Sequence, residues 1–572
     1  MEHGKKLMNN NLNSLFLNPE FSRSDGEKPE PLPWLSESYC EPEKFWNALK
    51  IKRETFFKMP GKSIPFVSYN FFHDIILCNI NSITPAFRWF DPDDGWCEIS
   101  YSELGRLSCQ MAASFQISGV KQGDRLCLIN RLNKDFLIRL LSALKIGAVI
   151  SILPPLGEKF LAKRINELSP DYISCEEQFH YLVQPFADIV LSEKGNAGDS
   201  DIETSHSYEA ESTVFLAFDQ SCTTTHIPVD VACDTAYLNA MRDGIIALGV
   251  KPGRSIAAPD FDFLESQPGL ILAVLVNGGT FVHIEPEELL KKPALLLKYK
   301  LENVGLTTRV RDSFLKKQLP VKDNWKCWFR NPSESMNLMK WNEFTEAADI
   351  KEIPAMNLKW EASLCGCSFF SPKITGEAHL EVFPSAGCNW KLTDISGNTL
   401  EAFDQFGMLS VSFPGKENDE CFFTTNMITK NDSKLIFSGN NVKGRFGRHY
   451  PVDEIRDIIK EVESCSLCSI DISSSPAEPV RRFITLMIFT GSYNDFDEAS
   501  IIKQIKEKII KEYSKFYLMD KYVFYPLLPR FTEGKRIDHK WCSSQCSNGS
   551  FIKKSKDELH HCLTVMKELV YA

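Results

Sequence analysis

Several features are missing from this sequence, and each absence narrows what the chain can be. No apolar run reaches the ~20 residues that a membrane-spanning helix needs. The stretch 136–156 is broken by Arg139 and Lys145, and 268–284 by Asn277-Gly278-Gly279. Both therefore read as buried elements of a globular core, with no transmembrane segment expected. Positive charge is not in excess, because 65 Lys and Arg stand against 75 Asp and Glu and leave a formal net charge of −10. Such a chain offers no general field for a phosphodiester backbone or an anionic lipid surface, so nucleic acid is not an expected partner. Residues 1–18 carry Lys5 and Lys6 and then turn Asn-rich, without the apolar run of about 7–15 residues that marks a secretory signal. A compact cysteine framework is also lacking, since the 18 cysteines are scattered through the chain. That pattern fits free thiols in a reducing cytoplasm.

What is present is an ordinary globular composition, 43% hydrophobic and 24% charged over 572 residues. Domains usually stop growing near ~250–300 residues, so a large lobe and a smaller one are expected. Residues 1–40 are polar, Pro-rich around 27–33, and read as a flexible extension. A helix is expected over 43–57. Leu104, Leu107, Met111 and Phe115 recur at helical spacing and predict a helix up to 117, followed by the turn Lys121-Gln-Gly-Asp124 and a strand over 125–129. A helix over 136–145 and a strand ending at Pro154-Pro155 complete a β-α-β unit, which implies parallel strands. The order recurs downstream with helices over 237–248 and 270–276 and a strand over 280–284. Short alternating runs make 380–440 β-rich. Beyond it, Pro451 is placed in a first helical turn with Asp453 and Glu454 at the positive helix end, and Ile455, Ile458, Ile459 and Val462 form an apolar face. A strand over 483–489 and a helix over 501–513 follow, with a last helix over 556–570.

The segments Tyr101-Ser-Glu-Leu104, Gly119-Val-Lys-Gln-Gly-Asp-Arg125 and Leu141-Ser-Ala-Leu-Lys-Ile-Gly-Ala148 resemble the opening of the adenylate-forming superfamily. That superfamily includes acyl-CoA synthetases, fatty acyl-AMP ligases and peptide-synthetase adenylation domains, and the resemblance continues with gaps to Ile537. It implies an α/β fold: a large N-terminal α/β lobe with a β-rich subdomain over 41–440, a small C-terminal α+β domain over 441–542, and a tail over 543–572. It also implies a reaction, in which a carboxylate is joined to the α-phosphate of ATP and pyrophosphate is expelled. Such a site needs phosphate donors, a magnesium ligand, ribose contacts and a cation for the transition state.

The resemblance assigns these roles to four places. In Gln220-Ser-Cys-Thr-Thr-Thr-His-Ile-Pro228-Val229, Ser221, Thr223 and Thr224 match a loop that wraps the phosphates. Cys222 and Thr225 replace its glycines and Val229 its lysine, so hydroxyl donors remain while backbone freedom and charge are lost. An ordinary polar turn explains the same residues. In Asn357-Leu-Lys-Trp-Glu361, Glu361 matches the Mg2+ ligand, although a glutamate on a surface loop is the plain alternative. In Phe423-Thr-Thr-Asn426, Asn426 stands for the aspartate that accepts from the ribose hydroxyls, keeping one acceptor oxygen but no charge. Asn440 stands where arginine is usual. Leu527-Leu-Pro-Arg-Phe-Thr-Glu-Gly-Lys535 is the best preserved, and its lysine would bridge carboxylate and α-phosphate; a lone exposed lysine is otherwise simply solvated. Gly447-Arg-His-Tyr-Pro451 looks most like fatty acyl-AMP ligases, while Leu264 replaces a histidine common in the acyl pocket.

Two functions are thus expected as alternatives. One is an acyl-activating ligase using ATP and Mg2+ on a fatty acid, with coenzyme A or the phosphopantetheine of an acyl carrier protein as acceptor. The other is a catalytically impaired descendant that keeps the fold as a binding or scaffold protein. A zinc site from Cys465, Cys468, Cys542, Cys546, His560, His561 and Cys562 is weighed against buried free thiols and set aside, because the two halves lack matched spacing.

Overall fold

A computed structural model describes residues 22–23, 33–56, 69–192, 201–219, 226–297, 301–317, 319, 321, 325–332, 338–371, 373–375, 379–394, 397–400, 406–412, 422–431, 434–440, 444–445, 448–463, 465–475, 478–491 and 497–551. The expected helix over 556–570 and Gly447 lie outside the described residues, as do Ser221, Thr223 and Thr224. The fold class is α/β. The chain divides into one unit of residues 1–155 and 164–441 and a second of 156–163 and 442–572.

In the first unit, one sheet orders Tyr172–Cys175, Arg125–Ile129, Val149–Leu153, Thr213–Phe218 and Pro228–Ala232. Its first four strands run parallel and the last is antiparallel. The helix Lys134–Ile146 supplies the crossover of the β-α-β unit. Asn133 caps it by accepting from the backbone N–H of Phe136 at 2.8 Å, and Gly147 ends it at φ 89°, a left-handed angle that favours glycine. Every residue from Phe136 to Ile146 is buried. Lys145 is accommodated there by donating to the carbonyl of Asp201 at 2.6 Å.

A second, eleven-stranded sheet runs from Gly95–Ser100 through Pro85–Asp91, Thr280–His283, Ser255–Ala257, Asn303–Gly305 and Cys327–Arg330 to Ala355–Glu361, with Gly366–Phe370 paired to that last strand. The β-rich region is a four-stranded antiparallel sheet of Asn389–Thr393, Phe406–Ser412, Phe422–Asn431 and Lys434–Asn440. Helix Tyr101–Ile117 forms over the expected residues. The expected helix over 237–248 is instead an α-helix, Cys233–Arg242, followed by a π-turn, Asp243–Ala247. That wider turn presents the Asp243 carboxylate to the backbone N–H of Cys367 at 2.7 Å while it also accepts from Arg242 Nε at 2.7 Å.

In the second unit, Cys468–Ser475, Glu478–Phe489 and Lys521–Tyr525 form a three-stranded sheet, antiparallel and then parallel. Helices Val452–Lys460 and Glu498–Glu512 bury Ile455, Ile458, Ile459, Ile505 and Ile509. Pro451 caps the first of these helices rather than lying in its first turn. Residues 156–163 belong to this unit through Phe160, edge-on to Tyr513, and the Gly157 N–H, which donates to the Tyr513 carbonyl at 2.7 Å. Within its described part, Lys535 sits on an exposed turn closed by its own N–H to the Thr532 carbonyl at 2.9 Å.

Candidate functional site

The strand Ala355–Glu361 organises the site. Its side chains alternate, Met356, Leu358 and Trp360 on one face and Asn357, Lys359 and Glu361 on the other, as the period of a strand requires. Both faces are buried. A buried polar face is tolerated only when each group finds a partner, and here each does. Asn357 Oδ1 accepts from Arg330 Nε at 2.9 Å, and its Nδ2 donates to the carbonyls of His379 and Glu381 at 3.1 and 3.2 Å. Lys359 forms a buried ion pair with Glu265, which also accepts from Asn331 at 3.2 Å. Glu361 Oε1 accepts from Asn426 Nδ2 at 2.9 Å and from Ser368 Oγ at 3.1 Å.

Ser368 reaches Glu361 because of a β-bulge. Lys359 pairs with Phe369 and Trp360 with Cys367, so Ser368 is the extra residue left between them. The bulged strand Gly366–Phe370 is in turn held by Asp243, which takes the Cys367 N–H, and by Arg242 Nη2, which donates to the Cys367 carbonyl at 2.9 Å. Gly366 is required at this approach, because a Cβ there would meet Asn239 Cβ and Asp243 Oδ2 at 2.7 Å each. Replacing Asp243 with Asn keeps the shape but strands the buried Arg242 charge. We expect a loss of about 2–3 kcal/mol in urea unfolding, without a change in slope.

Asp219 closes the cluster. It directly follows the strand Thr213–Phe218, immediately before the Thr-rich segment, and its Oδ2 accepts from Ser363 Oγ at 2.9 Å. Burial lifts the Glu361 carboxyl above its ordinary range, Asp219 pushes in the same direction, and Lys359, Asn426 and Ser368 pull it back. Asn426 Oδ1 is buried and has no hydrogen-bond partner among the described residues.

The structure thus brings two sequence-predicted residues, Glu361 and Asn426, into direct contact, and it ties the residue preceding the Thr-rich segment to the same region. It corrects one alternative: Glu361 is not on a surface loop but ends a strand, at 1% exposure. Val229 lies exposed on Pro228–Ala232, paired with Ala217. Leu264 is buried in the short helix Phe263–Ser266. Sequence reasoning passed over Asp219, Ser363, Ser368 and the Lys359–Glu265 pair. An acidic residue directly following an apolar strand was the available signal for the first, whereas the bulge that recruits Ser368 leaves none.

Cys465, Cys468 and Cys542 are buried free thiols. Burial pushes them up to about 11, 12 and 11 respectively, which keeps them protonated rather than poised as metal thiolates. His560, His561 and Cys562 lie outside the described residues.

No family model matches the chain. A segment of 109 residues, 19% of the chain, is 30% identical to an acetyl-coenzyme A synthetase of Chromobacterium violaceum, and it spans 16% of that relative's length. Among solved structures, an acetoacetyl-CoA synthetase from Streptomyces lividans superposes with a TM-score of 0.60 at 15% identity, covering 89% of each chain. An o-succinylbenzoate CoA synthetase from Bacillus subtilis gives a TM-score of 0.65 at 12% identity, over 82% of this chain and 97% of the other. Over most of its length, therefore, the chain has the fold of the adenylate-forming superfamily.

Proposed function

We propose that the chain activates a carboxylic acid, a fatty acid in the first instance, as an acyl-adenylate. A substrate carboxylate oxygen bonds to the α-phosphorus of ATP while the bond from that phosphorus to the bridging oxygen breaks, and pyrophosphate leaves. In a second step the thiol of coenzyme A, or of a carrier protein's phosphopantetheine, forms a thioester and AMP leaves. One observation carries this reading: Glu361 and Asn426 converge from two separate sheets within hydrogen-bond distance, although they are 65 residues apart in sequence.

The groups present fit the nucleotide and its ion. The orphaned Asn426 Oδ1 is an acceptor for a ribose hydroxyl. Asp219 adds to the upward push that burial exerts on the Glu361 carboxyl, an arrangement that a hard divalent cation relieves, and carboxylate oxygens are the donor type Mg2+ prefers. When bound, that ion supplies charge neutralisation for the phosphates. The chain's own residues do the rest: Ser221, Thr223 and Thr224 offer hydroxyl donors to phosphate oxygens, and the Lys535 ammonium supplies positive charge where negative charge builds at the α-phosphate. Gly447-Arg-His-Tyr-Pro451, by its likeness to acyl-AMP ligases, favours an acyl chain as substrate. The alternative of a catalytically impaired binding protein is favoured by Val229, which offers no charge where the resemblance places a lysine.

Carboxylate-dependent ATP–pyrophosphate exchange tests the proposal. Exchange above the acid-free control with at least one fatty acid supports it, and none across a broad acid panel defeats it. Glu361→Gln separates architecture from chemistry. Because burial raises the native carboxyl above its unfolded value, native-state stability falls as pH rises through the native value. Gln keeps an oxygen that accepts from Asn426 and Ser368 and removes that titration. The variant should melt higher than the parent above the ordinary carboxylate range, yet exchange pyrophosphate at least about tenfold more slowly.

A further inference from the structure

Among the described residues, one cluster of three candidate metal ligands stands outside the machinery above: His73, Asp74 and Cys78. We propose that these residues bind a divalent transition-metal ion of borderline softness, Zn2+ in the first instance. The donor set of imidazole nitrogen, carboxylate oxygen and thiol sulfur suits that ion and disfavours Mg2+ or Ca2+, which take oxygen.

The spacing agrees. In a tetrahedral zinc site with Zn–N about 2.0–2.1 Å and Zn–S about 2.3 Å, nitrogen and sulfur donors lie roughly 3.6 Å apart and nitrogen and oxygen roughly 3.3 Å. Here His73 Nδ1 lies 3.8 Å from Cys78 Sγ and 2.9 Å from Asp74 Oδ1, and all three ligand atoms fall within 4.8 Å of one another. The shorter nitrogen–oxygen distance is that of a hydrogen bond whose proton a metal ion replaces, with a small widening.

The ligands are also held from behind. The other Asp74 oxygen accepts from Tyr237 OH at 2.5 Å, an outer contact of the kind that orients a ligating carboxylate. Asn70 caps the helix Phe71–Ile75 by accepting from the His73 N–H at 2.9 Å. Asn79 Nδ2 donates to the carbonyls of Ile75 and Asp74 at 2.9 and 3.3 Å, which fixes the turn bringing Cys78 back toward His73. Asp74 is buried, while His73 and Cys78 are partly exposed. An ion can therefore enter from the imidazole and thiol side, leaving a fourth position for water. The H-D-x3-C spacing lies outside paired-cysteine patterns, so a search for CxxC passes over it.

Cobalt(II) titration of the full-length protein tests the site, because thiolate ligation gives a near-ultraviolet charge-transfer band. We expect a saturable band at one equivalent, bleached by Zn2+, absent in Cys78→Ser and requiring at least about tenfold more cobalt in His73→Gln. Zinc should raise the melting temperature of the parent but not of Cys78→Ser. A band that persists in Cys78→Ser, or cobalt binding with no thiolate band, overturns the proposal. If His73→Gln folds poorly by circular dichroism, Cys78→Ser alone decides between these outcomes.

Discussion

Lys535→Ala is expected to lower carboxylate-dependent pyrophosphate exchange by about 10²–10³-fold, the cost of deleting one group that stabilises developing charge. Its melting temperature should match the parent, because Lys535 is exposed and surface changes of this kind usually stay within about 0.5 kcal/mol. The backbone contributes little to the difference. Lys535 sits at φ 55°, and alanine carries the same Cβ into that left-handed angle. Lys535→Arg should not restore full activity, since a planar guanidinium fork is not a compact ammonium. An Ala variant that exchanges pyrophosphate at the parental rate would leave this lysine as a solvated surface group.

Asn426→Asp should cost about 2–4 kcal/mol of stability at neutral pH. The amide that donates to Glu361 Oε1 at 2.9 Å becomes a second carboxylate in a site already raised by burial and by Asp219. Two buried carboxylates then share one proton, and their native proton affinity rises above that of the unfolded chain. Stability must therefore fall as pH rises through the native titration and return as pH drops toward the ordinary carboxylate range. Divalent magnesium with ATP should recover part of the loss, because a cation takes the place of the missing amide protons. Differential scanning fluorimetry across pH, with and without MgATP, reads both effects. An unchanged melting profile would mean that Asn426 does not face Glu361.

The elements that sequence reading recovered are those whose signals are local. Helix Tyr101–Ile117 carries Leu104 and Phe115 on its buried face, and its cap, Ser100, accepts from the Glu103 N–H. The strand Arg125–Ile129 is a short apolar run between turns. The site was legible only in part. Asn357, Lys359 and Glu361 alternate with apolar residues, which normally marks a half-exposed strand. What buries their polar face comes from far away in the chain: Arg330, Glu265, and Asn426 on a separate sheet. Likewise the π-turn at Asp243 reflects a demand made by Cys367, 124 residues later, which no local pattern announces.

On the proposed reading Val229 and Asn426 each remove charge from the nucleotide side, while Asn426 also donates to the buried Glu361 carboxylate that Asp219 acts on. On the proposed reading, asparagine at 426 weakens ribose binding while stabilising the protein without ligand. On that reading, the balance between these effects sets the affinity for ATP.

Calorimetric titration of the full-length protein with MgATP, alongside Glu361→Gln and Asn426→Ala, measures that balance most directly. Saturable binding by the parent is expected, weakened at least about tenfold by Glu361→Gln and measurably weakened by Asn426→Ala. Superimposable isotherms for all three proteins, or no heat from the parent, would contradict the placement of the nucleotide against this buried cluster.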